Sequence, residues 1–163
     1  MTTAVDEAVL RDAASTFCTG VAVVTAVDGT SAVGLTVQSF VSLSLDPPYV
    51  TFCPSRTSAS WPRIRAAGRL AVNVLAWDQG ELGRRFASRG TDRFAGVDWR
   101  PGANGAPLLA GALTCFEADV DREFPGGDHV IVVARVTRAE RLREAAPLLY
   151  FRRTYHGLAA ARD

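Results

Sequence analysis

Residues 34–54, GLTVQSFVSLSLDPPYVTFCP, carry small hydroxyl residues (Thr36, Ser39, Ser42, Ser44, Thr51) where a structural strand pair would show unbroken apolar wall. Polar side chains on a half-buried surface need partners, so something polar is expected to lie against this row. The backbone reading is two strands of a β-barrel, one from Val33 to Leu45 and one from Tyr49 to Cys53. They join at Asp46-Pro47-Pro48, where proline fixes φ and withholds a ladder donor.

The elements on either side support a mainly β chain with short helices. Asp6 to Cys18 places Val9, Leu10, Ala13, Ala14 and Phe17 at helical spacing, with Asp6 as N-cap and Gly20 as the stop. Val21 to Val27 is a β-branched run, Asp28-Gly29 a hairpin signal, and Ser31 to Thr36 the returning strand. Beyond Pro54, the hydroxyl-rich loop Ser55 to Ser60 leads into a short helix with Pro62 in its first turn, closed by Gly68. Unpaired N–H groups beside Ser and Thr side chains there read either as simple capping or as an anion seat. Leu70 to Leu75 has the branching of a buried strand, and Asp78 to Ser88 reads as a helix with Leu82 and Phe86 on one face.

Residues 89–107 are polar and glycine-rich, anchored by Trp99; a loop of that length either covers a site or packs on a partner. Leu113 to Phe124 and Val130 to Leu142 form two long strands turning at Pro125-Gly126-Gly127-Asp128. Leu148 to Phe151 is too apolar to hang free and is expected to dock back on the barrel. Nothing in the pattern asks for more than one domain over residues 1–163.

Composition excludes several functions. A formal charge of +1 with 48% hydrophobic residues carries no basic field of the kind nucleic acid demands. All 18 basic residues are arginine, which reads as coding bias except beside a motif. Three widely spaced cysteines, Cys18, Cys53 and Cys115, fit neither a disulfide framework nor a metal pattern and point to a reducing cytoplasm. The polar start and the lack of a long apolar run argue against a signal peptide or a membrane span. There is no GxGxxG, no triphosphate-binding loop and no GxSxG elbow.

Gly34 to Pro48 closely resembles the GxTxxSFxSxSxxPP segment of the short-chain flavin reductases, FMN-binding split-barrel proteins that supply reduced flavin to two-component monooxygenases. Gly127-Asp128-His129 and Pro147 to Tyr155 agree with two further blocks of that family in order and spacing. The resemblance implies a split β-barrel, Greek-key-like, acting on FMN or FAD with NADH or NADPH as hydride donor. It implies a homodimer with flavin at or near the subunit interface, and transient delivery of reduced flavin to an oxygenase component.

By motif position, Thr36, Val37, Gln38 and Ser39 would meet the pyrimidine edge of the flavin, and Cys53 and Pro54 would flank the ring. Ser55, Ser58 and Ser60 would hold ribityl and phosphate. Arg85 and Phe86 would reach the flavin tail, although a solvated face is an equal reading of Arg84-Arg85. His129 would stand near the nicotinamide as the catalytic residue. Asp128 is read as a cap or turn residue, because neighbours on a strand point to opposite faces. Phe151, Arg152 and Tyr155 would line the nicotinamide side, the Arg favouring a pyrophosphate; Arg153 stands where the family often has Gly. Two other readings remain beside the reductase: a non-catalytic flavin-binding or storage module, and a split-barrel oxidase using another cofactor.

Overall fold

The computed structural model describes residues 5–90 and 92–158. The chain runs α1 (Glu7–Ala14), β1 (Thr19–Gly20), β2 (Ala22–Asp28), β3 (Ser31–Val37), β4 (Val41–Leu45), β5 (Pro48–Phe52), α2 (Trp61–Ala67), β6 (Arg69–Val74), α3 (Gly80–Ala87). It continues through β7 (Trp99–Pro101), β8 (Pro107–Leu109), β9 (Thr114–Gly126), β10 (His129–Arg141), β11 (Leu149–Phe151) and β12 (Thr154–His156). Seven strands form one antiparallel sheet in the order β3-β2-β6-β9-β10-β5-β4.

That order corrects the reading of one strand from Val33 to Leu45. The segment breaks at Gln38–Phe40, and its halves, β3 and β4, are the two opposite edges of the sheet. Since Val37 and Val41 are four residues apart, their Cα atoms stand no more than about 14 Å apart, so a seven-stranded sheet must roll up for its edges to meet. The barrel is closed by chain rather than by a ladder, and it stays split between β3 and β4. The connecting segment is held to the end of β5 by the Cys53 N–H, which donates to Ser39 Oγ at 2.8 Å.

The interior is filled by Val24, Leu35, Phe52, Leu70, Val72 and Val132, with Trp61 and Ile64 of α2 packed against them. Full burial of side chains this size is worth roughly 1.5–3 kcal/mol each, which seats a helix too short to hold by itself. A second cluster on the outer side of β2 joins Val21 and Val23 to Leu75, Phe86, Leu109 and Leu148. Strand β2 is thus buried on both faces, which is why it reads as a continuous apolar run.

Three boundaries differ from expectation for local reasons. Helix α1 stops at Ala14 because Ser15 and Thr16 turn their hydroxyls back to the carbonyls of Asp12 and Ala13. Helix α3 starts at Gly80, since Asp78 is held outside it by a bidentate pair with Arg143 at 2.8 and 2.9 Å. Within the stretch expected as loop, β7 pairs with β8. The long hairpin forms as expected, with Gly126 opposite His129 and a two-residue turn in which Gly127 takes φ +73°. The tail docks as expected: the Leu148 N–H donates to Leu75 O, and Thr19 and Gly20 pair with β11.

Candidate functional site

Where the barrel is split, a cavity of about 670 Å³ opens beside the end of β3. Its size falls within the roughly 300–1,000 Å³ of small-molecule sites. The expected residues in its walls come from five separate segments. Thr36, Val37, Gln38 and Ser39 come from the β3–β4 break, and Cys53, Pro54, Ser55 and Ser58 from the loop before α2. Phe86 comes from α3, His129 from the start of β10, and Tyr155 from β12.

Four expected residues stand outside that lining. Ser60 is buried and its hydroxyl accepts from Arg93. Arg85 points to the far side of α3, its Nη1 donating to Ala95 O at 2.5 Å. Phe151 and Arg152 sit at the β11–β12 turn, the guanidinium 5.4 Å from the ring centroid. There Arg152 and Arg153 both take positive φ, +47° and +63°, so Arg153 keeps a left-handed backbone without being glycine. The Arg152 N–H donates to Ser15 O at 2.8 Å and ties the turn to the N-terminal segment.

The hydroxyl row is only partly free to face a ligand. Thr36 Oγ1 donates to Gly83 O at 2.7 Å, which pins α3 to β3. Ser39 Oγ accepts from Cys53 and keeps its own proton to give. Ser55 and Thr57 hydroxyls lie 3.0 Å apart, and Ser58 Oγ accepts the Trp61 N–H at 3.2 Å, doing for α2 the capping that Ser60 does not. Thr51 Oγ1 is buried with no hydrogen-bond partner among the described residues.

Close packing shapes two walls. A Cβ on Gly34 would stand 2.7 Å from the Phe86 ring, and one on Gly83 would stand 3.0 Å from the Tyr155 hydroxyl. Burial raises the Tyr155 phenol above its ordinary pKa, helped by nearby Tyr150 and opposed by Arg84, whose guanidinium sits 5.3 Å from the ring centroid.

Sequence reasoning missed the cationic part of the lining, Arg89 and Arg93, as well as Thr57 and Tyr150 as cavity residues. Arg93 donates to Gly34 O, Ser88 O and Ser60 Oγ, all neutral, and burial lowers its pKa. Arg89 reaches Thr57 Oγ1 at 3.2 Å. Neither is in an ion pair among the described residues, and the described lining contains no carboxylate. Such a wall favours an anionic ligand. No spacing rule finds these two, because an arginine in a glycine-rich loop reads as solvated.

The second miss concerns Asp128. Its Oδ1 stands 2.8 Å from His129 Nδ1, so the two side chains do pair. Asp128 belongs to the turn, not to the strand, and the alternation rule does not reach it. The turn is stitched to the cavity loop: Arg56 N–H donates to Asp128 O at 2.9 Å, Arg56 Nε to Gly127 O at 2.8 Å, and Val130 N–H to Pro54 O at 3.0 Å. The described residues hold no metal-ligating cluster and no helix long and apolar enough to cross a membrane.

Comparison with known proteins places these features in one family. The family described as flavin reductase like domain matches residues 14–159. The reductase subunit HsaB of a flavin-dependent monooxygenase from Rhodococcus jostii is 42% identical over 155 residues, covering 95% of this chain and 80% of that protein. The crystal structure of a nitrilotriacetate monooxygenase component B homolog from Mycobacterium thermoresistibile superposes with a TM-score of 0.92 at 42% identity, covering 94% of this chain and 87% of that one. The NADH:FAD oxidoreductase SgcE6 of Streptomyces globisporus, solved with NAD and FAD fragments, gives a TM-score of 0.90 at 37% identity, covering 99% and 100%. With a family match over most of its length and relatives this similar at nearly full coverage, the chain belongs to the flavin reductase-like family.

Proposed function

We propose that this protein is an NAD(P)H-dependent flavin reductase that hands reduced flavin to a separate oxygenase, and that it works as a single-domain, cytoplasmic homodimer. The observation that carries the reading is the cavity at the barrel split, which joins Thr36 to Ser39, Cys53, Pro54, Ser55, Ser58, Phe86, His129 and Tyr155 around one space with two arginines, Arg89 and Arg93, that are in no ion pair among the described residues. A flavin fits that donor set: a flat apolar ring with a hydrogen-bonding edge, a polyol and a phosphate. Bound there, flavin would supply the acceptor for a hydride from reduced nicotinamide, with a proton from solvent completing the two-electron reduction.

The chain's own work is positional. The backbone of Thr36 to Ser39 would meet the polar edge, while Cys53, Pro54 and Phe86 would flank the ring. Ser55 and Ser58 would hold the polyol, and Arg89 and Arg93 would balance phosphate charge. His129, held by Asp128, stands where the nicotinamide approaches, and Tyr155 closes that side. Exposed apolar side chains on β4 (Val41, Leu43, Leu45), β9 (Phe124) and β10 (Ile131) support a second copy packing on this sheet.

Anaerobic mixing with NADH and FMN, or with FAD, is expected to bleach the flavin absorbance; no bleaching with any pairing of nucleotide and flavin ends the proposal. Size-exclusion with light scattering is expected to give twice the 17.4 kDa chain mass, and a monomer would remove the homodimer.

A further inference from the structure

Helix α3 is eight residues long and carries two glycines, Gly80 and Gly83. Glycine weakens a helix interior relative to alanine, so the one at the fourth position needs a reason outside the helix. Positions three apart share a face, and here that face meets the Tyr155 ring. A Cβ on Gly80 would stand 3.6 Å from Tyr155 Cδ2, an ordinary contact. One on Gly83 would stand 3.0 Å from the Tyr155 hydroxyl oxygen, 3.3 Å from its Cζ and 3.4 Å from Leu75 Cδ1. Carbon atoms pack best at about 3.5–4.0 Å, so of the two only Gly83 is tied to its neighbours by the lack of a side chain.

The other contacts leave the ring little room. Arg84 holds its guanidinium 5.3 Å from the ring centroid, and Tyr150 meets the ring edge-on with centroids 5.3 Å apart. Thr36 Oγ1 donates to Gly83 O, so α3 stays against β3 and does not back away from Tyr155. Yet the phenol itself, part of the cavity lining, makes no hydrogen bond among the described residues. Burial raises its pKa above the ordinary value, with Tyr150 adding to this and Arg84 opposing it, so the oxygen keeps its proton at neutral pH. The result is a fixed donor facing the cavity with no acceptor of its own. Thr36 to Ser39, Ser55, Ser58, Arg89 and Arg93 already have places against a flavin, which leaves Tyr155 for the molecule that meets the flavin.

We propose that Gly83 is a positioning residue: its missing side chain sets the Tyr155 hydroxyl where it donates to the carboxamide oxygen of the nicotinamide nucleotide. Alanine in its place pushes the ring aside by a few tenths of an ångström, roughly the margin between a good and a poor hydrogen bond. The role rests on reading the cavity as the site of flavin reduction.

The chain has three tyrosines, Tyr49, Tyr150 and Tyr155, so the donor is visible by NMR of protein isotope-labelled at tyrosine Cζ and loaded with FMN. The Tyr155 resonance is the one that Tyr155→Phe removes. NAD+, which has no hydride to give, is expected to shift that resonance in wild type, and Gly83→Ala to shift it before any nucleotide is added. Michaelis constants for NADH, or for NADPH where wild type prefers it, give the size of the effect. Tyr155→Phe is expected to raise the constant about tenfold and Gly83→Ala about threefold, with the FMN dissociation constant within about twofold in both. In the Tyr155→Phe background, Gly83→Ala is expected to add less than about twofold, since no hydroxyl is left to misplace. Gly80→Ala, whose Cβ has room, is expected to leave both constants as they are, and retained FMN binding shows that each variant has folded. A Tyr155 resonance indifferent to NAD+, a Gly83→Ala effect that persists without the hydroxyl, or losses shared equally by FMN overturns the proposal while the reductase reading stands. A wild-type protein that neither binds nor reduces any flavin removes both.

Discussion

His129 Nδ1 and Asp128 Oδ1 lie 2.8 Å apart, a contact between chain neighbours made at the turn where the β9–β10 hairpin reverses. An ionised carboxylate only accepts, so the proton sits on Nδ1 and leaves Nε2 as the nitrogen available to a ligand. The hydrogen bond and positive charge of His129 hold the Asp128 carboxyl below its ordinary range. A lowered carboxyl keeps its contribution above the ordinary carboxylate range and loses it as pH falls through the folded value. Above the ordinary carboxylate range Asp128 is therefore present as the acceptor of this contact. Asp128→Ala is expected to slow flavin reduction roughly tenfold while leaving the flavin dissociation constant unchanged, with Asp128→Asn in between. Stopped-flow reduction and fluorescence titration separate the two quantities, and an unaltered reduction rate would dismiss the positioning role.

Gly34 carries a steric constraint that its neighbours in β3 do not. A Cβ there would meet Phe86 Cε1 at 2.7 Å and Val24 O at 3.1 Å, one a ring that is 1% exposed and the other fixed backbone. Gly34→Ala is expected to cost about 1–3 kcal/mol, the usual range for overpacking, and to weaken flavin binding because Phe86 also walls the cavity. Urea melts with a parallel flavin titration check both. A variant as stable as wild type would mean that Phe86 can step aside.

How much of this could be read in advance depended on how local the cause was. The β2 run, the Asp28-Gly29 hairpin and the Gly127 turn announce themselves through branching and turn chemistry within a few residues. The break at Gln38–Phe40 does not, since the hydroxyl and apolar residues alternate straight through it and only the rolled sheet separates β3 from β4. The cavity lining includes the residues that the resemblance implied at Thr36 to Ser39, Cys53, Pro54, Ser55, Ser58 and His129. It failed for Arg85 because consecutive helix positions lie about 100° apart, so presenting Phe86 to the cavity turns Arg85 away. Arg93 had no local signature at all, its importance arising from what surrounds it in space.

The three cysteines should separate by reactivity. Cys18 is exposed, Cys53 half-buried in the cavity wall and Cys115 buried. Burial pushes the Cys115 thiol up to about 12. A thiol raised in this way contributes stability fully below its unfolded value, about 8.5, and loses it as pH rises toward 12. With iodoacetamide at pH 8, peptide mass spectrometry is expected to find Cys18 alkylated first, Cys53 more slowly and Cys115 only after denaturation. FMN or FAD should protect Cys53 alone. Labelling of Cys115 in the folded protein would contradict its burial.

Asn73 ties the layers outside the barrel to its wall. It is fully buried in β6, where its Nδ2 donates to Val23 O at 3.1 Å and Thr25 Oγ1 at 3.0 Å. Its Oδ1 accepts from the Leu109 N–H at 2.8 Å and from Cys115 Sγ at 3.1 Å. Thr25 Oγ1 in turn donates to Pro107 O at 2.6 Å, so one amide organises β2, β8 and β9 together. Replacing it with leucine, close in volume but without polar atoms, strands the Leu109 N–H in an apolar pocket. Each buried group left unmatched costs about 1–3 kcal/mol, so Asn73→Leu is expected to lose roughly 3 kcal/mol or more. Asn73→Asp restores the acceptor for Leu109 but faces Val23 O with a second acceptor, so it should fare no better. Urea denaturation with amide exchange at Leu109 is the check. The exchange rate should rise with the loss of stability, and a protected Leu109 amide in Asn73→Leu would show that some other acceptor holds β8 in place.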